Sequence, residues 1–430
     1  MQVSSVALLS LRGLSRRMAS NFSFDPLQKT SSELREVKKP RVFDFNKFNK
    51  RHVALQVAYI GWKYSGFAIQ DPPKITIESC LFECLKKTKL IEDVSTAHYS
   101  RCGRTDKGVS ALGQVIALDL RTNLLSGPGV RVQEGSIAHT RKGDTENELP
   151  YMVILNRNLP EDIRVLSWTP VDPEFSARFN CTQRTYKYFF PRGDMNLELM
   201  RTAAQYFMGQ HDFRNFCKMD IAGGVTHFDR TIVKFEINAL SSSNPPSPYD
   251  MCEMTLSGHA FLMHQVRCMA GILFLIGNGL ETPDIVQHML DIEKCPCKPQ
   301  YGMAPPEPLI LYDCVFDGLQ WQREEEAHDR VVAHFQHMWT SQVVKSTMVQ
   351  CMLDTLSPPT HSSYSSHSTH PSPMAILMHS DHRLGKGRYK PLLERPTANT
   401  FEERYEHHQA KKMKLQQQQH MDIQDTSTSS

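Results

Sequence analysis

The strongest constraint on this fold is a repeated change of apolar period between Val53 and Phe316. Val53, Leu55, Val57 and Tyr59 alternate with Ala54, Gln56 and Ala58, the two-residue period of a strand with one buried face. Turn-forming residues follow from Gly61 to Gly66 and at Pro72 and Pro73. Thr76 then stands as an N-cap before Ile77, Leu81 and Leu85, which are spaced for one helix face. The switching continues: strand periods occupy residues 113–120, 163–168, 184–190, 231–237, 251–256 and 309–316, and helical periods occupy residues 151–156 and 195–208. Leu262, Val266, Met269, Ala270 and Leu273 mark the apolar stripe of the longest core helix. No Gly-rich phosphate loop follows any of these strands, so the pattern predicts an α+β architecture and not a dinucleotide-binding sheet.

The flanks differ from this core. Arg35, Lys38, Lys39, Arg41, Lys47, Lys50 and Arg51 stand against only Glu36 and Asp44, either a phosphate-contacting arm or a solvated leader. Ahead of them, Arg12, Arg16 and Arg17 with several Ser and no acid before Asp25 have the make-up of a mitochondrial presequence, and Met18 could initiate a form without it. Residues 121–148 hold Gly, Pro, Ser and charge and read as an inserted loop. Residues 323–353 read as helical, an accessory hairpin, and residues 357–380 are rich in Ser, His and Pro. The expected division is a disordered basic leader (1–50), an N-terminal catalytic α+β half (51–170), a C-terminal α+β half (171–320), accessory helices (321–356) and a mostly disordered tail (357–430). Within that tail, residues 388–396 form a candidate docked island.

At 430 residues, 40% apolar and 22% charged, the chain can bury a large core, and its net charge of +3 says little about partners. Its eleven cysteines include no Cys-x-x-Cys pair, and Pro296 separates the neighbours Cys295 and Cys297. That spacing supports neither a zinc ribbon nor a redox dithiol, so no metal is expected, and scattered thiols point to a reducing intracellular compartment. No apolar run approaches the roughly 18–20 residues of a membrane span. Lys411, Lys412 and Lys414 form either a weak nuclear signal or a solvated cluster, so nucleus, cytoplasm or both are expected, with a mitochondrial form possible from the presequence-like start.

Three segments carry chemistry. From Arg101 to Gly108 the chain reads Arg-Cys-Gly-Arg-Thr-Asp-Lys-Gly, just before a strand. Asp106 would be held ionised by Arg104 and Lys107, although a surface loop with local ion pairs has the same composition. Phe175 to Phe179 (Phe-Ser-Ala-Arg-Phe) precedes Arg184 to Phe190, in which Tyr186, Tyr188 and Phe190 share one strand face and Thr185, Lys187 and Phe189 the other. An aromatic face beside Arg178 and Lys187 suits base stacking and phosphate contact, and it equally suits a core. Third, Arg267 falls on an otherwise apolar helix and needs a partner, ideally a carboxylate in fork geometry, while His264 reads as a satisfied structural histidine.

The run Gly-Arg-Thr-Asp-Lys-Gly-Val from Gly103 to Val109, with Gly113, Gln114 and Val115, resembles the active-site motif of TruA-type tRNA pseudouridine synthases. Phe175–Arg178 with Arg184–Tyr188 resembles that family's second motif. Phe261–Arg267 resembles its third and residues 308–311 its closing apolar strand, in the same order and spacing. Lys107, Ser110, residues 209–216, Arg267–Met269 and residues 311–314 are most similar to the eukaryotic branch acting on uridines 38 and 39 of the anticodon arm. Ser110 stands where bacterial members commonly have His, and Pro308 where they commonly have Gly.

The resemblance implies two ferredoxin-like halves forming one continuous antiparallel sheet flanked by helices, a homodimer, and a cleft that binds tRNA. It implies isomerisation of uridine to pseudouridine without metal or cofactor. Asp106 would be the catalytic carboxylate, attacking C1′ or removing a ribose proton, and Arg267 would pair with it. Tyr186 would stack on the flipped base and assist removal of the C5 proton, Arg104 would hold the nucleotide out of the stack, and Leu309 would form apolar wall beneath it. Arg178, Lys187 and the basic arm would contact phosphates. A catalytically silent tRNA-binding relative, or a synthase for another RNA position, is the alternative.

Overall fold

The structure, a computed structural model, describes residues 43–240, 247–356 and 389–427, with side chains as far as residue 414 and at 417. The presequence-like start, most of the basic arm, the Ser/His/Pro stretch and the last three residues lie outside the described residues. Ten strands follow in chain order: β1 (Asn49–Tyr59), β2 (Ser100–Arg101), β3 (Ser110–Thr122), β4 (Val130–Arg131), β5 (Ile163–Pro170), β6 (Cys181–Pro191), β7 (Gly209–Asp212), β8 (Asp229–Ala239), β9 (Met251–Gly258) and β10 (Leu309–Phe316). The helices are α1 (Ile77–Lys87), α2 (Tyr151–Asn156), α3 (Leu197–Tyr206), α4 (Gln265–Gly277), α5 (Ile285–Leu290), α6 (Glu325–Leu356) and α7 (Phe401–Ser427).

All ten strands join one sheet, ordered β4-β1-β3-β10-β6-β9-β8-β7, with β5 beside β1 and β2 beside β3. The expected wholly antiparallel sheet needs one correction, because β10 runs parallel to β3, pairing Ile310 with Ser110 and Leu311 with Ala111. This parallel seam sets the start of β3 beside the start of β10. Gly113 makes it possible: a Cβ there would stand 2.7 Å from the Asp313 Cα and the Tyr312 carbonyl oxygen. One apolar cluster gathers β1, β3, β5, α1 and α2, and the other gathers β6, β8, β9, α3, α4 and α5. β10 serves both, with Leu309 in the second cluster and Leu311 in the first, and Tyr186 packs against each.

Local chemistry explains the elements. Thr76 caps α1 as expected, its hydroxyl accepting from Ser79 N at 3.1 Å while Ser79 Oγ accepts from Thr76 N at 3.0 Å. α2 lacks a side-chain cap of its own, and the Glu324 carboxylate supplies one, accepting from Met152 N and Val153 N. Three boundary expectations change. β1 starts at Asn49, inside the expected leader, because Arg51 is buried against Glu148 at 2.9 Å. The expected hairpin is one helix of 32 residues, since residues 325–356 offer no Gly or Pro to break it. The tail expected to be mostly disordered contains the 27-residue α7. The docked island is present: Leu392 is fully buried, Tyr389 Oη donates to Glu281 at 2.6 Å, and Gln300 N donates to the Pro396 carbonyl at 3.0 Å.

Candidate active site

Asp106 lies in the loop that leads into β3, so the parallel seam carries it to the mouth between the two apolar clusters. The loop is clamped from both sides. Gln114, fully buried, donates to the Gly103 carbonyl at 2.9 Å and accepts from Gly103 N at 3.2 Å. Thr105 Oγ1 and Tyr59 Oη share a hydrogen bond at 2.8 Å, and Val109 N donates to the Asp106 carbonyl at 3.1 Å. Gly108 closes the turn at φ +83°, with Pro306 packed where a side chain would begin. Ser110 Oγ accepts from Gly61 N at 3.0 Å, so Ser110 ties the start of β3 to the turn after β1.

The Asp106 carboxylate is 19% exposed and meets two basic groups through the same oxygen, Arg267 Nη1 at 3.4 Å and His264 Nε2 at 3.6 Å. The pairing with Arg267 is a single contact and not a fork, because its Nε donates instead to the Ala304 carbonyl at 2.8 Å. That bond and its reciprocal, Ala304 N to the Arg267 carbonyl at 3.0 Å, tie α4 to the segment leading into β10. Arg104 and Lys107, expected to hold Asp106 ionised, point elsewhere: Arg104 is exposed and faces Asp220 at 3.6 Å, and Lys107 is exposed.

His264 is the residue that sequence reasoning misplaced. It stands before α4 in the left-handed region at φ 61°, and its buried Nδ1 has no hydrogen-bond partner, so it is not a satisfied helix histidine. Burial lowers its pKa from 6.5; the Asp106 charge opposes this, and Arg267, Lys218 and Lys298 add to the lowering. Those two lysines bring positive charge near His264 that no motif flagged. Only a helix boundary drawn after His264 would have signalled its role.

Tyr186 packs edge-to-face on Phe261, with ring centroids 5.0 Å apart, and none of the described hydrogen bonds uses its hydroxyl. Burial pushes its phenol well above the ordinary value, which disfavours the phenolate. Leu309 is buried opposite Tyr188 at the start of β10. Arg178 is exposed beside the outward-facing Phe179, their groups 5.4 Å apart. Lys187 alternates to the other sheet face, paired with Glu253 at 3.1 Å and lying 4.6 Å from the Tyr312 ring. The structure therefore brings together Asp106, Arg267 and His264 by direct contact, sets Arg104 on the same loop, and leaves Lys187 behind the sheet.

The site offers a partly buried carboxylate in contact with a guanidinium and an imidazole, and no helix of the described residues is long and apolar enough to cross a membrane. The family model of tRNA pseudouridine synthases matches residues 203–317, which include Arg267 and Leu309. A human protein named tRNA pseudouridine(38/39) synthase is 43% identical over 92% of this chain and 84% of its own length. A protein of that name from Saccharomyces cerevisiae is 46% identical over 66% of this chain and 62% of its own length. The tRNA pseudouridine synthase A of Methanothrix thermoacetophila is 30% identical over 65% of this chain and 88% of its own length. On this identity and coverage, the chain belongs to the TruA family of tRNA pseudouridine synthases, isomerases that convert uridine to pseudouridine in tRNA.

Proposed function

We propose that this enzyme modifies uridines 38 and 39 in the anticodon stem-loop of its tRNA substrates, with Asp106 as the catalytic carboxylate. The observation that carries the chemistry is the single carboxylate oxygen of Asp106 held between Arg267 and His264 at the seam. The names of the human and yeast relatives support the position. Arg267 Nη1 and His264 Nε2 meet that oxygen at 3.4 and 3.6 Å and so fix where the carboxylate points, whether it attacks C1′ or removes a ribose proton. The loose geometry leaves its other oxygen open to the sugar.

Tyr186 then stacks on the flipped base and donates a hydrogen bond from its protonated phenol, with Leu309 as the apolar wall. Arg104, exposed at the rim, fills the place of the extruded nucleotide, offsetting an unpairing cost of a few kcal/mol. Arg104 and Arg178 contact phosphates, and Lys187, already neutralised by Glu253, contributes least. The enzyme acts as a homodimer.

The test is position-by-position conversion of a transcript tRNA by wild type and Asp106→Ala. Conversion at 38 or 39 that vanishes in the variant is expected. Conversion only elsewhere overturns the site assignment, and an active Asp106→Ala variant overturns the role of the carboxylate. A wild type that binds tRNA without converting it leaves an RNA-binding protein on this fold.

A further inference from the structure

The fold collects three cysteines that the sequence scatters. Cys102, Cys181 and Cys314 are 4%, 8% and 7% exposed. Their sulfurs all lie within 4.8 Å of one another, with Cys102 and Cys314 at 3.3 Å. Cys102 leads into the Asp106 loop, Cys181 opens β6, and Cys314 sits in β10 opposite Arg184. Arg184 is itself buried, and its guanidinium donates to the carbonyls of His259, Cys102 and Arg178. Among the described residues no carboxylate pairs with it. A buried guanidinium held only by neutral carbonyls lacks a counter-charge, and thiols that release their protons can supply one.

We propose that Cys102, Cys181 and Cys314 form a site for a thiophilic d10 metal ion, with Zn²⁺ the ion that the charges favour. A Zn–S bond of about 2.3 Å places tetrahedral sulfurs about 3.8 Å apart, within the spread of this cluster. Three thiolates and a dication carry one negative charge, which the Arg184 guanidinium neutralises. Without the ion, three thiolates beside one guanidinium would be strongly disfavoured. Binding releases the thiol protons to solvent and involves no oxidation. Water completes the fourth position. The ion ties β6 and β10 to the loop four residues before Asp106, so its role is to position that loop and not to enter the reaction.

The experiment measures metal in the full-length protein purified without chelator from zinc-supplemented cells, then replaces the metal with Cd²⁺. Wild type is expected to hold about one zinc per chain and, with Cd²⁺, to show the ultraviolet thiolate-to-metal charge-transfer band. Cys314→Ser should lose both, and Cys351→Ser, at an exposed cysteine, should keep both. If Cys314→Ser fails to fold, the wild-type zinc content and Cd²⁺ band decide alone. Wild type with neither zinc nor a Cd²⁺ band overturns the proposal. So does a Cys314→Ser variant that retains the full band, or peptide mapping that finds Cys102 and Cys314 joined as a disulfide in freshly quenched protein.

Discussion

Asp119 and Asp106 are two carboxylates tied to strand β3, one within it and one in the loop before it, and each meets an imidazole and a guanidinium. Asp119 is closed off: its side chain is 1% exposed, His52 Nδ1 stands 2.5 Å away, His98 Nδ1 2.9 Å and Arg131 Nη1 3.7 Å. His52 is held at its other nitrogen by the Phe175 carbonyl, at 3.1 Å. Asp106 has longer contacts of 3.4 and 3.6 Å, both on one oxygen, and its imidazole neighbour keeps an orphaned nitrogen. Similar residue types thus make a saturated structural network in one place and an under-satisfied site in the other. The difference teaches why Asp106 and not Asp119 is the proposed catalytic carboxylate: only the former keeps hydrogen-bonding capacity unmet.

Exchanging one atom in each carboxylate should separate the two regions most sharply. Asp106→Asn is expected to lower conversion by at least about 10³-fold while the melting temperature stays close to wild type. Asp119→Asn should do the reverse, costing about 3–5 kcal/mol in a denaturant titration because it breaks a buried charged network, with activity per folded molecule retained. If both variants lose stability equally, the contrast fails.

Arg267→Lys tests the guanidinium next. The ammonium cannot both donate to the Ala304 carbonyl and face Asp106 in the same plane, so kcat should fall about 10- to 100-fold with KM little changed. A pure KM effect would assign Arg267 to tRNA binding instead.

The two regions should also titrate in different windows. His264 has a lowered pKa in the folded state, so the folded protein binds fewer protons there than the unfolded chain. Its contribution to stability is full above 6.5 and is lost as pH falls below that value towards the folded pKa. Asp119 behaves alike in a more acidic window: burial raises its pKa, but the His52 hydrogen bond and charge, with His98 and Arg131, leave it below 3.8. Stability profiles against pH should show His264→Gln flattening the upper window only. Flattening in neither window would mean that folding leaves the His264 pKa unshifted.

The smallest effect expected is at the rim. Arg104→Ala should reduce the slope of log affinity against log salt by about 1, whereas Lys187→Ala, on the far face, should leave it unchanged.

Much of this was legible in the chain, and the reasons are local. Strand periods marked β6 and β10 in place, whereas β1, read as buried on one face, is buried on both, and α4, read as carrying one apolar stripe, is buried all round except at Arg267. The run from Gly103 to Val109 pointed to Asp106 through its resemblance to a family motif, since by composition alone it read equally as a surface loop with local ion pairs. Lys411 to Lys414 and the Gln run gave no sign of α7, because helix formation there depends on neighbours as well as composition.

What only the tertiary structure decided are the relations between residues far apart in the chain. Strand order is not encoded in periodicity, so the parallel β3–β10 seam had to come from the assembled sheet, as did the single-contact geometry of the Asp106–Arg267 pair across 161 positions, a pair that the family resemblance had implied. His264 gained its place from a backbone at φ 61°, which sequence spacing does not reveal. Cys102, Cys181 and Cys314 became a cluster for the same reason: long-range packing brings side chains together by shape and burial, and no local pattern records which ones will touch.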